Sequence, residues 1–181
     1  MPMKLVRKNL NNSITKGILF SLLLFSLGFL HYTIAYKNNT FSKTEFSGKN
    51  IGLFRTEKYE EHGAIDIFLN NMRVGFLISI VGFATGGILT VLILYWNGFL
   101  IANIFFTAID FIPIRTIFYY LKHAPLEIFA LTLFSVIGFK GFFFYKKIFL
   151  KEDNLNIVIP KPKDFLLPTI LLFIASFIEI L

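Results

Sequence analysis

Apolar residues run along this chain in long blocks, and the polar residues collect between them. The longest block, Ile67 to Ile114, holds only two charges, Arg73 near its start and Asp110 near its end. A bilayer core needs about 20 apolar residues per helix, so this block suffices for two crossings. Asn97-Gly98, the strongest local turn dipeptide in the block, falls near its middle. The pattern predicts a membrane hairpin, spans 67–96 and 98–114, with a tight turn at Asn97-Gly98. Trp96 would then sit at an interface, where an indole is at home, and Pro113 would help to end the second arm.

The other blocks extend this layout. Residues 17–36 form a first span behind Lys4, Arg7, Lys8 and Lys16, which have no acid among them. That charge places the N-terminus in the cytoplasm. Thr33-Ile34-Ala35 weakly imitates a signal-peptidase site, but the apolar run is long for a signal peptide and ends in bulky polar residues. An uncleaved anchor is therefore the expectation. Residues 37–66 form the one sizeable polar loop, with five basic residues against five acidic ones, a balance that suits the outer side. His62 to Asn71 alternates polar and apolar positions, as an interfacial lead-in would. Arg115 to Ala124 reads as a short outer connection. A fourth span covers 125–145, a basic segment from Lys146 to Lys163 suits the cytoplasm, and 165–181 gives a short fifth span weakened by Pro168 and Glu179. The expectation is one all-α domain, 1–181, a polytopic bundle of about five transmembrane helices in the bacterial cytoplasmic membrane.

Composition supports this and narrows the function. Charged residues make up 16% of the chain, against about 25% in soluble domains. Without cysteine there is no disulfide framework and no thiolate metal site. The net charge of +7 lies beside the hydrophobic spans, so orientation in the membrane explains it better than nucleic acid does.

Three clusters interrupt the apolar pattern. Asn70, Asn71 and Arg73 open span two, where an arginine serves either as an interface anchor or in a buried network. Gly82 and Gly86, with Gly87 following, form a GxxxG that would let a second helix approach closely. In the predicted turn, Asn97 would bond free carbonyls and Gly98 would supply a permissive backbone. Finally, Pro125 suits the first turn of span four, and Glu127 would be favoured there by the helix dipole. In the expected topology Asn70, Asn71, Arg73, Asp110, His123 and Glu127 all fall at the outer end of the bundle. Intramembrane charges rarely go unpaired. Arg73 is thus expected to pair with Glu127, or else with Asp110. His123 and Glu127 supply at most two metal ligands, too few for a zinc site; no metal, cofactor or catalytic residue is expected. Neither HExxH, GxSxG nor a Walker A motif occurs.

These residues, in this order, resemble the stage II sporulation protein M family. The similarity covers roughly Ile67 to Gly141 and the five-span layout. It rests on Asn70-Asn71-x-Arg73, the glycines of span two, Asn97-Gly98, and His123 followed by Glu127 and Ala130. Lys122-His123-Ala124 stands where Pro-His-Gly is usual. The resemblance implies a non-enzymatic membrane component of an assembly. The sporulation member works with a peptidoglycan hydrolase and a second membrane protein in engulfment and cell-envelope remodelling. It also implies an alternative, since small members are encoded with circular bacteriocins and linked to export and immunity. Expected partners are the lipid bilayer and other membrane proteins, with a cell-wall hydrolase or an ATPase as candidates and self-association open.

Overall fold

The structure, a computed structural model, describes residues 3–38, 63–109, 111–151 and 158–181, and these are helical apart from short turns. In chain order the helices are α1 (Met3–Lys37), α2 (Ala64–Ala84), α3 (Ile88–Ile109), α4 (Ile114–Tyr120), α5 (Ala124–Phe149) and α6 (Pro162–Ile180). Four stretches, Ile14–Lys37, Ala64–Ala84, Ile88–Ile109 and Ala124–Phe149, are long and apolar enough to cross a membrane. The all-α membrane bundle expected from the pattern is thus what the chain forms. The loop expected over 37–66 lies almost wholly outside the described residues.

The hairpin is real, but its turn is elsewhere. Asn97-Gly98 lies within α3, and the chain reverses at Thr85-Gly86-Gly87, twelve residues earlier. Spans two and three accordingly run 64–84 and 88–109 rather than 67–96 and 98–114. Gly86 (φ 65°) and Gly87 (φ 90°) adopt the left-handed conformation in which a side chain would be strained. The Gly87 N–H donates to the Gly82 carbonyl at 2.7 Å, and the Gly86 N–H to the Phe83 carbonyl at 3.1 Å. That pair of bonds is a Schellman motif, which satisfies carbonyls a helix end would leave bare. Thr85 Oγ1 accepts the Leu89 N–H at 3.3 Å, and Tyr145 donates its hydroxyl to the Ala84 carbonyl at 2.7 Å. In a membrane every such group needs a partner, and here the turn supplies them. Asn97-Gly98 has no such role because its backbone bonds are already made within the helix. Trp96 shares that mid-helix position, stacked on Phe99 at 5.3 Å, rather than at an interface.

Glycines close the helix contacts. A Cβ at Gly98 would stand 2.0 Å from the Phe25 carbonyl oxygen, and one at Gly28 would stand 1.9 Å from that of Tyr95. Thus α1 and α3 touch backbone to backbone, running parallel, since Phe25 meets Gly98 and Tyr36 meets Phe106 further along both. On the other side, Gly138 and Gly141 of α5 admit the carbonyls of Ile78 and Phe83, while Gly82 makes room for the Thr90 side chain. Within α2, Leu77–Val81 forms a π-helical turn. Such a turn loosens the local ladder, and the Ile78 carbonyl accepts the Thr90 hydroxyl at 2.8 Å. Of the expected GxxxG, then, only Gly82 is a packing residue; Gly86 is a turn residue.

Helix α5 is central, touching α1, α2, α3 and α6. Five helices contribute to one core that includes Leu24, Ile78, Leu94, Phe134 and Leu172. Large apolar side chains such as Leu23, Leu30, Leu92, Ile104 and Phe142 point outward, the arrangement expected where lipid is the solvent.

Candidate functional site

Acidic side chains of α5 and α6 meet basic ones at two places along these helices. At one, Lys140 of α5 contacts Asp164 of α6 at 2.5 Å, and Asp164 also accepts the Lys161 backbone N–H at 3.2 Å, capping α6. At the other, His123 Nε2 lies 3.7 Å from Glu179 Oε2 and 3.9 Å from Glu127 Oε2. α5 and α6 are therefore antiparallel, and α6 is pinned to α5 near both of its own ends. At a rise of about 1.5 Å per residue, the two polar ends are roughly 25 Å apart along α5.

The His123 end is built from three elements. His123 closes the turn after α4 and stands at the N-cap of α5; Pro125 and Glu127 both lie in the first turn of α5, which sets Glu127 one turn from His123. Glu179 comes from the last turn of α6. Asn71 of α2 donates its Nδ2 to Glu127 Oε1, tying α2 to α5 across the bundle. That bond leaves Glu127 Oε2 turned toward His123. The Nδ1 of His123 is buried and, among the described residues, has no hydrogen-bond partner. Beside this cluster lies a cavity of about 220 Å³ lined by Asn70, Asn71, Asn97 and Glu127 together with apolar side chains. Asn97 donates its own amide to the Ile93 carbonyl at 2.8 Å, one turn back.

Of the six polar residues expected to converge, Asn70, Asn71, His123 and Glu127 do so. Arg73 does not. Its side chain is exposed, and among the described residues no ion pair joins it to Glu127. Asp110, the alternative partner, lies outside the described residues. Asn97, expected in a turn, instead joins the cavity wall. Two kinds of residue were missed. Glu179 reads from the sequence as a flaw in a short span, although its separation from Asp164 is within two residues of that of His123 from Lys140, as suits antiparallel neighbours. The packing glycines Gly28, Gly138 and Gly141 drew no attention; the spacing of Gly138 and Gly141, three residues apart on one helix face, was the available signal. Glu179 also revises the ligand count, because His123, Glu127 and Glu179 offer three donor atoms within 4.8 Å of one another.

A family model for stage II sporulation protein M matches residues 18–180. The chain belongs to this family. The match takes in α1 from residue 18 onward, both hairpin helices, α5 and nearly all of α6, so Glu179 lies within it along with the residues on which the resemblance rested. No curated protein and no solved structure is similar enough to count as a match. Family membership and the four apolar helices together point to a multi-pass membrane protein.

Proposed function

We propose that this protein is a non-enzymatic component of a multi-protein assembly in the bacterial cytoplasmic membrane, with its N-terminus inside and α6 as a fifth crossing. The observation that carries this is where the polar residues go. Asn71 and Glu127, the best-placed candidates for chemistry, are bonded to each other and hold two helices together. Such a network shapes one face of a bundle for a partner rather than presenting a nucleophile. The separation of the two polar ends, roughly 25 Å, compares with a hydrocarbon core of about 30 Å, which supports α6 as a crossing. Purification in mild detergent from the native host should return partner membrane proteins in fixed ratio. Recovery of this chain alone would count against the assembly role. A reporter fused after Lys151 should read cytoplasmic and one near Gly48 external; an external signal at Lys151 would reverse the orientation.

A second reading, an export or immunity subunit working with an ATPase or an ion gradient, is favoured by one observation. The cavity beside Glu127 is lined by three asparagines, and polar residues at membrane depth mark pathways. Its test is a flux or peptide-sensitivity assay in cells expressing the chain with and without neighbouring genes; no change in either counts against it.

A further inference from the structure

Fastening helices accounts for Asn71 and one oxygen of Glu127, but not for what faces the other oxygen. Glu127 Oε2, Glu179 Oε2 and His123 Nε2 arrive from α5, α6 and the turn before α5, and converge on one point. The geometry points to a divalent-metal site formed by His123, Glu127 and Glu179, of the kind that takes Zn²⁺ or a similar first-row dication.

Distance is the first reason. The imidazole stands 3.7 and 3.9 Å from the two carboxylate oxygens, beyond the roughly 3.2 Å limit of a hydrogen bond. Three N/O ligands held at about 2.0–2.2 Å from one ion stand roughly 3.3–3.6 Å apart. A shift of a few tenths of an ångström would bring the imidazole to that spacing from each carboxylate; the three donors all lie within 4.8 Å of one another, and the exposed side chain of Glu179 is free to close the rest. The second reason is orientation. Asn71 holds one oxygen of Glu127 and turns the other toward His123, as groups behind a metal's ligands commonly do. The third is charge. Among the described residues neither carboxylate pairs with a lysine or an arginine, and the nearby Lys122 lies over the Tyr119 ring, 4.3 Å from its centre. With both carboxylates ionised, one dication neutralises their charge, whereas a proton on His123 balances half of it. The donor set, one imidazole and two carboxylates with no thiolate, suits zinc, manganese or ferrous iron rather than copper(I). Three protein ligands also leave the ion a position open to water.

The test uses the untagged full-length chain in detergent, dialysed against Zn²⁺ and, in parallel, against Mn²⁺, with bound metal measured by mass spectrometry. One ion per chain is expected for at least one of the two metals. Glu179→Gln should lower its affinity tenfold or more while leaving the gel-filtration profile unchanged, because the side chain is exposed and at a helix end. Asn71→Ala should weaken binding about tenfold, the usual effect of losing a group that orients a ligand. Asp164→Asn, at the opposite end, should leave it unchanged. The metal should also raise the melting temperature of the natural protein, by bridging α5 and α6, and not that of Glu179→Gln. Failure to bind either metal would overturn the site, as would equal binding by Glu179→Gln. Either failure leaves the assembly role intact, since these measurements involve no partner.

Discussion

The glycine-built middle of this bundle and its polar end hold helices together by opposite means. In the middle, α1 and α3 meet where Gly28 and Gly98 admit each other's neighbouring carbonyls, and α2 meets α5 at Gly138 and Gly141. Lipid tails are as apolar as leucine, so apolar area alone gives helices little reason to associate, and close backbone approach supplies van der Waals contact instead. Such contacts have one tolerated size. At the end, Asn71, Glu127, His123 and Glu179 meet through flexible side chains. Contacts of that kind tolerate small shifts but depend on chemical identity. The middle should therefore be intolerant of volume, and the end tolerant of volume but sensitive to charge and hydrogen bonding.

The largest effect expected is from Gly98→Ala. The new methyl would stand 2.0 Å from a carbonyl oxygen, and backbone cannot step aside as a side chain can. Overpacking of this sort costs about 1–3 kcal/mol or more, and Gly28→Ala should behave alike. Gel filtration of detergent extracts should show loss of the monodisperse peak in both. A normal peak for Gly98→Ala would mean that α1 and α3 do not touch as described, and the contrast between middle and end would fail.

Next is Asn71→Ala, which removes an interhelical hydrogen bond worth about 0.6–2 kcal/mol in a membrane and leaves a half-buried carboxylate oxygen without its donor. It should lower thermal stability without abolishing folding, and Asn71→Asp should be worse, because it places a carboxylate against Glu127. If alanine and aspartate were equally harmful, volume rather than chemistry would govern the polar end.

Gly86→Ala tests the turn. At φ 65° an alanine pays about 1 kcal/mol for a left-handed backbone, yet its Cβ would meet only the Tyr145 ring, at 3.4 Å. The loss should be smaller than at Gly98, although both are glycines of one hairpin. Equal losses at the two sites would remove the distinction between a packing glycine and a turn glycine.

That distinction is not visible in the sequence. Block length and charge placement were enough for the helical membrane architecture, because lipid forces long apolar helices whatever their packing. The hairpin was legible for the same reason. Its turn was not, since Asn97-Gly98 and Gly86-Gly87 are both good local turn signals. The choice is made by tertiary contact: Gly98 is needed against Phe25, so it stays in a helix, and the reversal falls to Gly86-Gly87. Asn70, Asn71, His123 and Glu127 could be grouped by depth alone, once the helices were counted. Glu179 could not be joined to them without knowing that α6 lies beside α5.

The smallest effect expected is from Arg73→Gln, and the reason is geometric. Residues two apart on a helix point about 200° away from each other. Asn71 faces Glu127, so Arg73 must face away, and its side chain is exposed. Charge alone, read from the sequence, favoured Arg73 as the partner of Glu127; helical rotation gives that place to Asn71. Removing an exposed charge away from any network usually changes stability by about 0.5 kcal/mol or less, and Arg73→Gln should stay in that range. The double variant with Glu127→Gln should show losses that simply add. A pair in contact would instead give a double variant more stable than the sum, because removing one partner strands the other. Thermal unfolding of the four proteins in one detergent decides it. Recovery of stability in the double variant would restore the ion pair and move Arg73 into the polar end; strict additivity leaves Asn71 as the group that holds Glu127.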